Sequence, residues 1–327
     1  MAAREHINEY FNGRPFMILC ALALMVATIV ALAMGVQPVA GDSRGVFFSL
    51  RGSLLDSGPL SAAVNVLCLL ATGGIMLALN KVFSYVRSVT HLMTSAFFLL
   101  LLANPSGLVA LNAGTLLSLV TTMATLPLFA SYQDRHSQRS IFLIFAIIAA
   151  ASMFHYGSLV LLPAFLLSFR NMGVLNLKGM LAMLFGLITP FWIVLGLGLA
   201  TPADFRGPHM LGIWTVVGHP VSPQLVLVVV TTVLGIVLTI KNLMTIINYR
   251  MQTRVYNAFF VFVLIMAVVA LCIDYGNATV YLPLLGLMVA IQVAHAHTLG
   301  KSPLRYLSLL LLIVGCIAFY SIQLLLP

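Results

Sequence analysis

The sequence predicts an all-α, polytopic transmembrane helical bundle, and three observations support that fold class. First, 61% of the 327 residues are hydrophobic and only 7% are charged, whereas a soluble domain carries about 25% charged residues. Second, apolar runs of roughly 20 residues recur along the whole chain, each long enough to cross a hydrocarbon core of about 30 Å as a helix. Third, these runs are continuous. IFLIFAIIAAAS at 141–152 does not alternate apolar with polar residues as a barrel strand would. In lipid a spanning segment must satisfy its own backbone amides, so each run is predicted as a helix.

The elements follow in order. The leader MAAREHINEYFNGRPF is long and acidic for a signal peptide, so the apolar run behind it reads as an uncleaved first span at 15–36. Further spans are expected near 60–80, 88–104, 108–131, 178–200, 223–243, 256–274, 277–296 and 304–326. NPSG at 104–107 is expected to make a tight turn between the third and fourth spans, and SYQDRHSQRS at 131–140 a polar loop. No linker, low-complexity tract or convincing internal repeat is visible. The whole of 1–327 reads as a single integral membrane domain.

Residues 141–169 are too long for one span and short for two. Counting positive charges decides between these options. With two crossings and the N-terminus inside, 13 Lys and Arg lie on the cytoplasmic side and 3 (Arg44, Arg51, Arg206) outside. With one crossing the split becomes 7 against 9. The positive-inside rule favours the first. The prediction is therefore about 11 membrane segments, with a short broken hairpin turning at His155-Tyr156-Gly157. The N-terminus lies inside and the C-terminus outside. Each arm of the hairpin, at roughly 14 residues, would reach only about 21 Å. His155 is expected at or just below the outer surface.

The net charge of +9 does not mark a nucleic-acid binder, because the basic residues are scattered singly between apolar runs. Cys20, Cys68, Cys272 and Cys316 all sit within apolar segments, without CxxC or Cys/His spacing. His209 and His219 stand ten apart, which matches no zinc spacing. No metal and no cofactor are expected.

Candidate chemistry therefore falls in the two long outer loops and at the break. In the first loop, 35–59, Asp42 and Asp56 are candidate general bases, and Arg44 and Arg51 candidate contacts for a lipid phosphate. Val46, Phe47, Leu50 and Leu54 would form one face of a short helix on the membrane surface. Asp42 equally suits the N-cap of that helix. The second loop, 201–223, offers Asp204, Arg206 and His209, with Trp214 as an interfacial anchor. His155 and Tyr156 complete the substrate-binding candidates. A histidine at a helix break either donates to a backbone carbonyl or serves a phosphate or proton. No acidic residue is expected at mid-membrane, which argues against an ion-coupled transporter. Asn65, Asn112 and Gln292 are the weaker polar positions a transporter would use.

Residues 151–171, ASMFHYGSLVLLPAFLLSFRN, pair an aromatic with histidine ahead of a proline-containing apolar helix. This pattern resembles O-antigen-polymerase-like proteins and membrane glycosyltransferases of the GT-C type. The order NKVFSYVR, NPSG, MFHYGSLVLLP, KGMLAMLFGLITPFWIVLG, over residues 60–200, resembles an uncharacterised family of bacterial polytopic inner-membrane proteins. The resemblance implies residence in the bacterial inner membrane and contact with membrane lipid. It also implies transfer of a sugar from a polyprenyl-phosphate carrier on the outer face. Asp42 or Asp56 holds the place of the first-loop acid, and Arg44, Arg51, Arg206 or His155 would meet the donor phosphate. The chain departs from the type in lacking a paired acidic motif, a large outer domain and a second acidic cluster. A non-catalytic subunit of an envelope assembly or secretion complex, or a lipid or small-solute transporter, are the alternative expectations.

Overall fold

The computed structural model describes residues 10–38, 44–49, 57–86, 90–134, 136–208, 212, 222–246, 249–299 and 304–325. Eleven α-helices lie among the described residues: α1 Arg14–Ala33, α2 Pro59–Phe83, α3 Leu92–Leu102, α4 Ala113–Ala130, α5 Gln138–Ser152, α6 Leu162–Asn171, α7 Leu177–Gly196, α8 Pro223–Ile246, α9 Met251–Ile273, α10 Leu282–Leu299 and α11 Leu304–Leu325. Eight candidate membrane spans result, taking α10 together with the 3-10 segment before it. The expected count of 11 membrane segments is therefore not found. Helices α3, α5 and α6 have 11, 15 and 10 residues, short of the roughly 20 that a full crossing needs.

Helix starts follow local chemistry. The Asn112 side chain accepts the Thr115 amide at 2.9 Å and caps α4, and Asn176 accepts the Gly179 amide at 2.7 Å and caps α7. Proline stands in the first turn of α1, α2 and α6, where its missing N–H costs nothing.

The bundle is layered around α10. In the apolar window of α10, 94% of residues are buried, against 11% in α7 and 17% in α11. Helix α10 is therefore the core, and the other two are peripheral. The chain reverses after α5. Phe145 on α5 stacks on Phe169 on α6 at 6.2 Å, a contact possible only if α6 runs back alongside α5. Helix α7 then runs parallel to α5, with Gly179 against Ile141 and Gly186 against Phe142 and Phe145.

Three helix pairs share one construction, which the sequence did not show as a repeat. Pairs α3–α4, α5–α6 and α9–α10 are each joined by a 3-10 segment: Pro105–Gly107, Tyr156–Leu161 and Tyr275–Tyr281. The last two carry matching residues, His155-Tyr-Gly ending in Leu162-Pro163 and Asp274-Tyr-Gly ending in Leu282-Pro283. All three segments lie at one end of the bundle, here termed the His155 end. His155 contacts Tyr281, Gly114 meets the Val280 carbonyl, and Gln224 at the start of α8 donates to Ser106 at 3.1 Å.

The tight turn expected at NPSG forms as the 3-10 segment Pro105–Gly107, and it is buried, with its polar groups served by side chains from other helices. Asn65 donates to the Gly107 and Leu108 carbonyls at 2.9 and 3.2 Å, and Asn112 to Gly107 at 3.0 Å. Ser61 accepts the Leu111 amide at 2.8 Å, and Gln323 donates to Ala103 at 3.2 Å. Irregular backbone inside a membrane bundle needs such partners. Asn65 and Asn112, weighed as transport residues, are thus holding this break together.

Candidate functional site

The candidate residues fall into two groups. Asp42, Asp56, Arg51 and His209, with Trp214 and His219, lie outside the described residues. Arg44, His155, Tyr156, Asp204 and Arg206 are described, and they gather at one corner of the His155 end.

The corner is assembled on carbonyls released where α5 stops. Residues 44–49 form a tight turn closed by an antiparallel bridge between Arg44 and Ser49. The predicted surface helix is absent from these residues. The Val46 amide donates to the Ser152 carbonyl at 3.1 Å and the Phe48 amide to the Met153 carbonyl at 2.9 Å. A helix would have to surrender these bonds. Gly45 is required here, because a Cβ at that position would collide with the Met153 carbonyl. Val46 and Phe47 are buried against Met153 and Ala200 rather than lying on a membrane surface.

Tyr156 joins the two long loops. Its amide donates to the Arg44 carbonyl at 3.3 Å, and its hydroxyl donates to the Arg206 carbonyl. The Arg206 amide in turn donates to the Val46 carbonyl at 3.0 Å. The side chains of Arg44 and Arg206 are exposed. Both residues thus stand on turns whose backbones are fixed to the break.

Asp204 is committed locally. Its Oδ2 accepts the Thr201 amide at 2.8 Å and the Thr201 hydroxyl at 2.7 Å, closing a capping box on the 3-10 segment Pro202–Asp204. These two bonds, the amide first, and then the positive field of Arg206 hold its carboxyl below the usual carboxylate range. It is a capping residue on the rim, and its carboxylate helps to fix the loop that carries Arg206.

His155 is extended, at φ −156° and ψ 121°, so its side chain and that of Tyr156 leave the chain on opposite sides. Tyr156 turns toward the loops and His155 into the bundle. His155 is 4% exposed, buried among the helices at this end. Its ring lies 5.9 Å from that of Tyr281. A Cβ at residue 157 would stand 2.5 Å from the His155 Nε2 and 3.0 Å from the Tyr281 ring, so only glycine fits there.

Tyr281 leads to a group that the sequence did not single out. Its hydroxyl donates to Asp274 Oδ2 at 3.2 Å, and the Asn277 amide donates to both Asp274 oxygens at 3.0 and 3.1 Å. Asp274 is 7% exposed. A buried carboxylate is tolerable only with such donors. The signal that could have found it is the matching Tyr-Gly…Leu-Pro frame, which puts Asp274 where His155 stands in the other break.

Aromatic residues surround the corner. Phe47 lies edge-on to Phe191 and Phe205 at 6.0 and 6.4 Å, and Phe48 stacks on Phe154 at 5.3 Å. Phe205 is 61% and Trp192 76% exposed. Exposed aromatics beside arginine suit the headgroup level of a bilayer. Among the described residues no three His, Cys, Asp or Glu stand together as a metal site. No family model matches the chain, and neither a curated protein nor a solved structure matches it. The chain is a multi-pass membrane protein of α-helices, and its likeness to lipid-linked glycan enzymes rests only on the residues quoted for it.

Proposed function

We propose that the chain is a protein of the bacterial inner membrane that works in envelope glycan metabolism. It takes a polyprenyl-phosphate sugar at the His155 end, in the manner of a GT-C-type transferase. The observation that carries this reading is the Tyr156 junction. It fixes two exposed arginines beside exposed aromatics, on top of the buried His155–Tyr281–Asp274 line. Guanidinium groups match phosphate oxygens, and the aromatics match the lipid and sugar on either side of the phosphate. Charge supports an outward orientation for this end. Among the described residues nine Lys and Arg gather at the opposite end and only Arg44 and Arg206 here.

In this reading Arg44 and Arg206, with Arg51, neutralise the donor phosphate. Asp42, two residues before Arg44, takes the proton of an acceptor hydroxyl, and Asp56 is the second candidate for that role. The acceptor oxygen bonds to the anomeric carbon as the bond from that carbon to the phosphate oxygen breaks, releasing polyprenyl phosphate. Asp274 positions His155 and the break through Tyr281.

The test is deletion of the gene in its host, with mass spectrometry of polyprenyl-phosphate-linked species. One sugar-charged lipid should accumulate. Wild type should restore the profile, while Asp42→Asn and the Arg44→Ala/Arg206→Ala pair should not, despite normal abundance in the membrane. An unchanged profile would exclude the transferase and favour the non-catalytic subunit.

A further inference from the structure

The polar groups that this function does not use lie at the opposite end of the bundle. Asn257 on α9 is 1% exposed, and neither atom of its side-chain amide has a hydrogen-bond partner. His295 on α10, 2% exposed, leaves Nε2 without one, and Thr239 on α8, 6% exposed, leaves its hydroxyl so. Beside them Asn242 donates to the Gln292 carbonyl and to Gln292 Oε1 at 2.9 and 2.8 Å. Three helices therefore present polar groups to a region with no lipid and little surface.

Helix register brings these groups to one level of the bundle. At Gly235 on α8, Val289 of α10 and Leu264 of α9 lie 3.1 and 3.5 Å from where a Cβ would stand, so the three helices meet at that level. Helices α8 and α10 run one way and α9 the other. Four and seven residues along α8 lead to Thr239 and Asn242. Seven residues back along α9 lead to Asn257. Helix α10 reaches Gln292 within one turn of Val289, and His295 one turn later. Seven residues are close to two turns and return to the same face, about 10 Å along the axis. The dry contact at Gly235 thus gives way, two turns on, to a polar one.

We propose that α8, α9 and α10 enclose a buried hydrated site here, in which water bridges Asn257, His295 and Thr239 beside the Asn242–Gln292 pair. The donor set chooses the guest. An amide and a hydroxyl each both donate and accept, and a neutral imidazole nitrogen does one or the other. No carboxylate and no lysine or arginine belongs to the group, so nothing there balances a dication or an anion. Buried waters take two to four such partners. The site is separate from the His155 end, and its test does not depend on the transferase reading.

The experiment uses the full chain in lipid nanodiscs with its four cysteines replaced by alanine. Asn257→Cys and Leu264→Cys are each reacted with N-ethylmaleimide and followed by mass. A thiol reacts as the thiolate, which needs water, so Asn257→Cys should label about tenfold faster or more. Equal, slow labelling in a chain that elutes as wild type, together with a raised melting temperature for Asn257→Leu, overturns the proposal. Should Asn257→Cys not fold, Thr239→Cys against the same control gives the same reading. A second measurement has opposite signs for the two cases. Asn257→Leu should lower the melting temperature if water is bridged there, and should raise it if the amide is merely orphaned in a dry contact.

Discussion

At the His155 end, helices stop short, the chain passes through 3-10 segments, and side chains from distant helices serve the freed carbonyls. At the opposite end, α2, α4 and α9 are locked by rings. Phe129 stacks on Tyr256 at 4.0 Å and meets Phe83, Tyr85, Phe259 and Phe260 edge-on or tilted within 6 Å. The Tyr256 hydroxyl donates to the Phe129 carbonyl at 3.0 Å. One end is held chiefly by directional bonds across irregular backbone, and the other chiefly by close packing of large apolar groups. Lipid offers no hydrophobic gain for helix association, so packing and internal hydrogen bonds must do it. This chain uses both means at both ends, with bonds across irregular backbone prominent at the His155 end and the larger ring cluster at the other. A break held by hydrogen bonds can present side chains at fixed positions, which a packed ring cluster cannot.

Substitutions at the two ends should therefore fail in different ways. The largest effect is expected from Phe129→Ala, which empties the ring cluster and should cost about 3–5 kcal/mol. Equilibrium unfolding in mixed micelles measures it, and Arg44 and Arg206 should keep their roles at temperatures where the variant remains folded. Asp274→Ala comes next. It leaves the Asn277 amide and the Tyr281 hydroxyl as buried donors without their acceptor, at about 1–3 kcal/mol each. Asp274→Asn should recover part of this loss, which separates hydrogen bonding from packing.

Tyr156→Phe should be milder for stability and harsher for function. It removes one hydroxyl bond, worth about 0.5–1.5 kcal/mol, and loosens the Arg206 turn, which keeps its amide bond to the Val46 carbonyl. Faster proteolysis within 205–208, with little change in the global unfolding midpoint, is the expected result. The smallest effect is a dependence on pH. The Asp204 carboxyl is held below its ordinary value of 3.8, so its cap on Thr201 is fully present above that value. The cap is lost as pH falls through the lowered one. Hydrogen exchange at the Thr201 amide, compared between wild type and Asp204→Ala, should differ at neutral pH and converge in strong acid.

The membrane character of the chain was legible, because hydropathy alone reports it. The number of full spans was not. Charge counting treats every reversal as a crossing, whereas α3 and α6 reverse after 11 and 10 residues. The break at His155-Tyr156-Gly157 was legible from glycine and proline. Its burial was not, because His155 is covered by Tyr281, which is 126 residues away in the sequence. Asp274 was not singled out in the sequence. It looks like an ordinary helix end until Asn277 and Tyr281 are seen to hold it. Arg44 was recognised, but its surroundings were misread. The apolar spacing of Val46 and Phe47 suits a helix, and only the Ser152 and Met153 carbonyls explain why a turn forms instead.

Cross-linking at the proposed phosphate corner tests the central claim most directly. A photoreactive residue would replace Phe205 at the corner or Met244, which is 74% exposed near the far end of α8, in full-length protein in nanodiscs containing labelled polyprenyl phosphate. Cross-linking at Phe205 should run well above that at Met244 and be lost with the Arg44→Ala/Arg206→Ala pair. Equal cross-linking at both positions, or cross-linking at Phe205 that survives loss of both arginines, would contradict that claim.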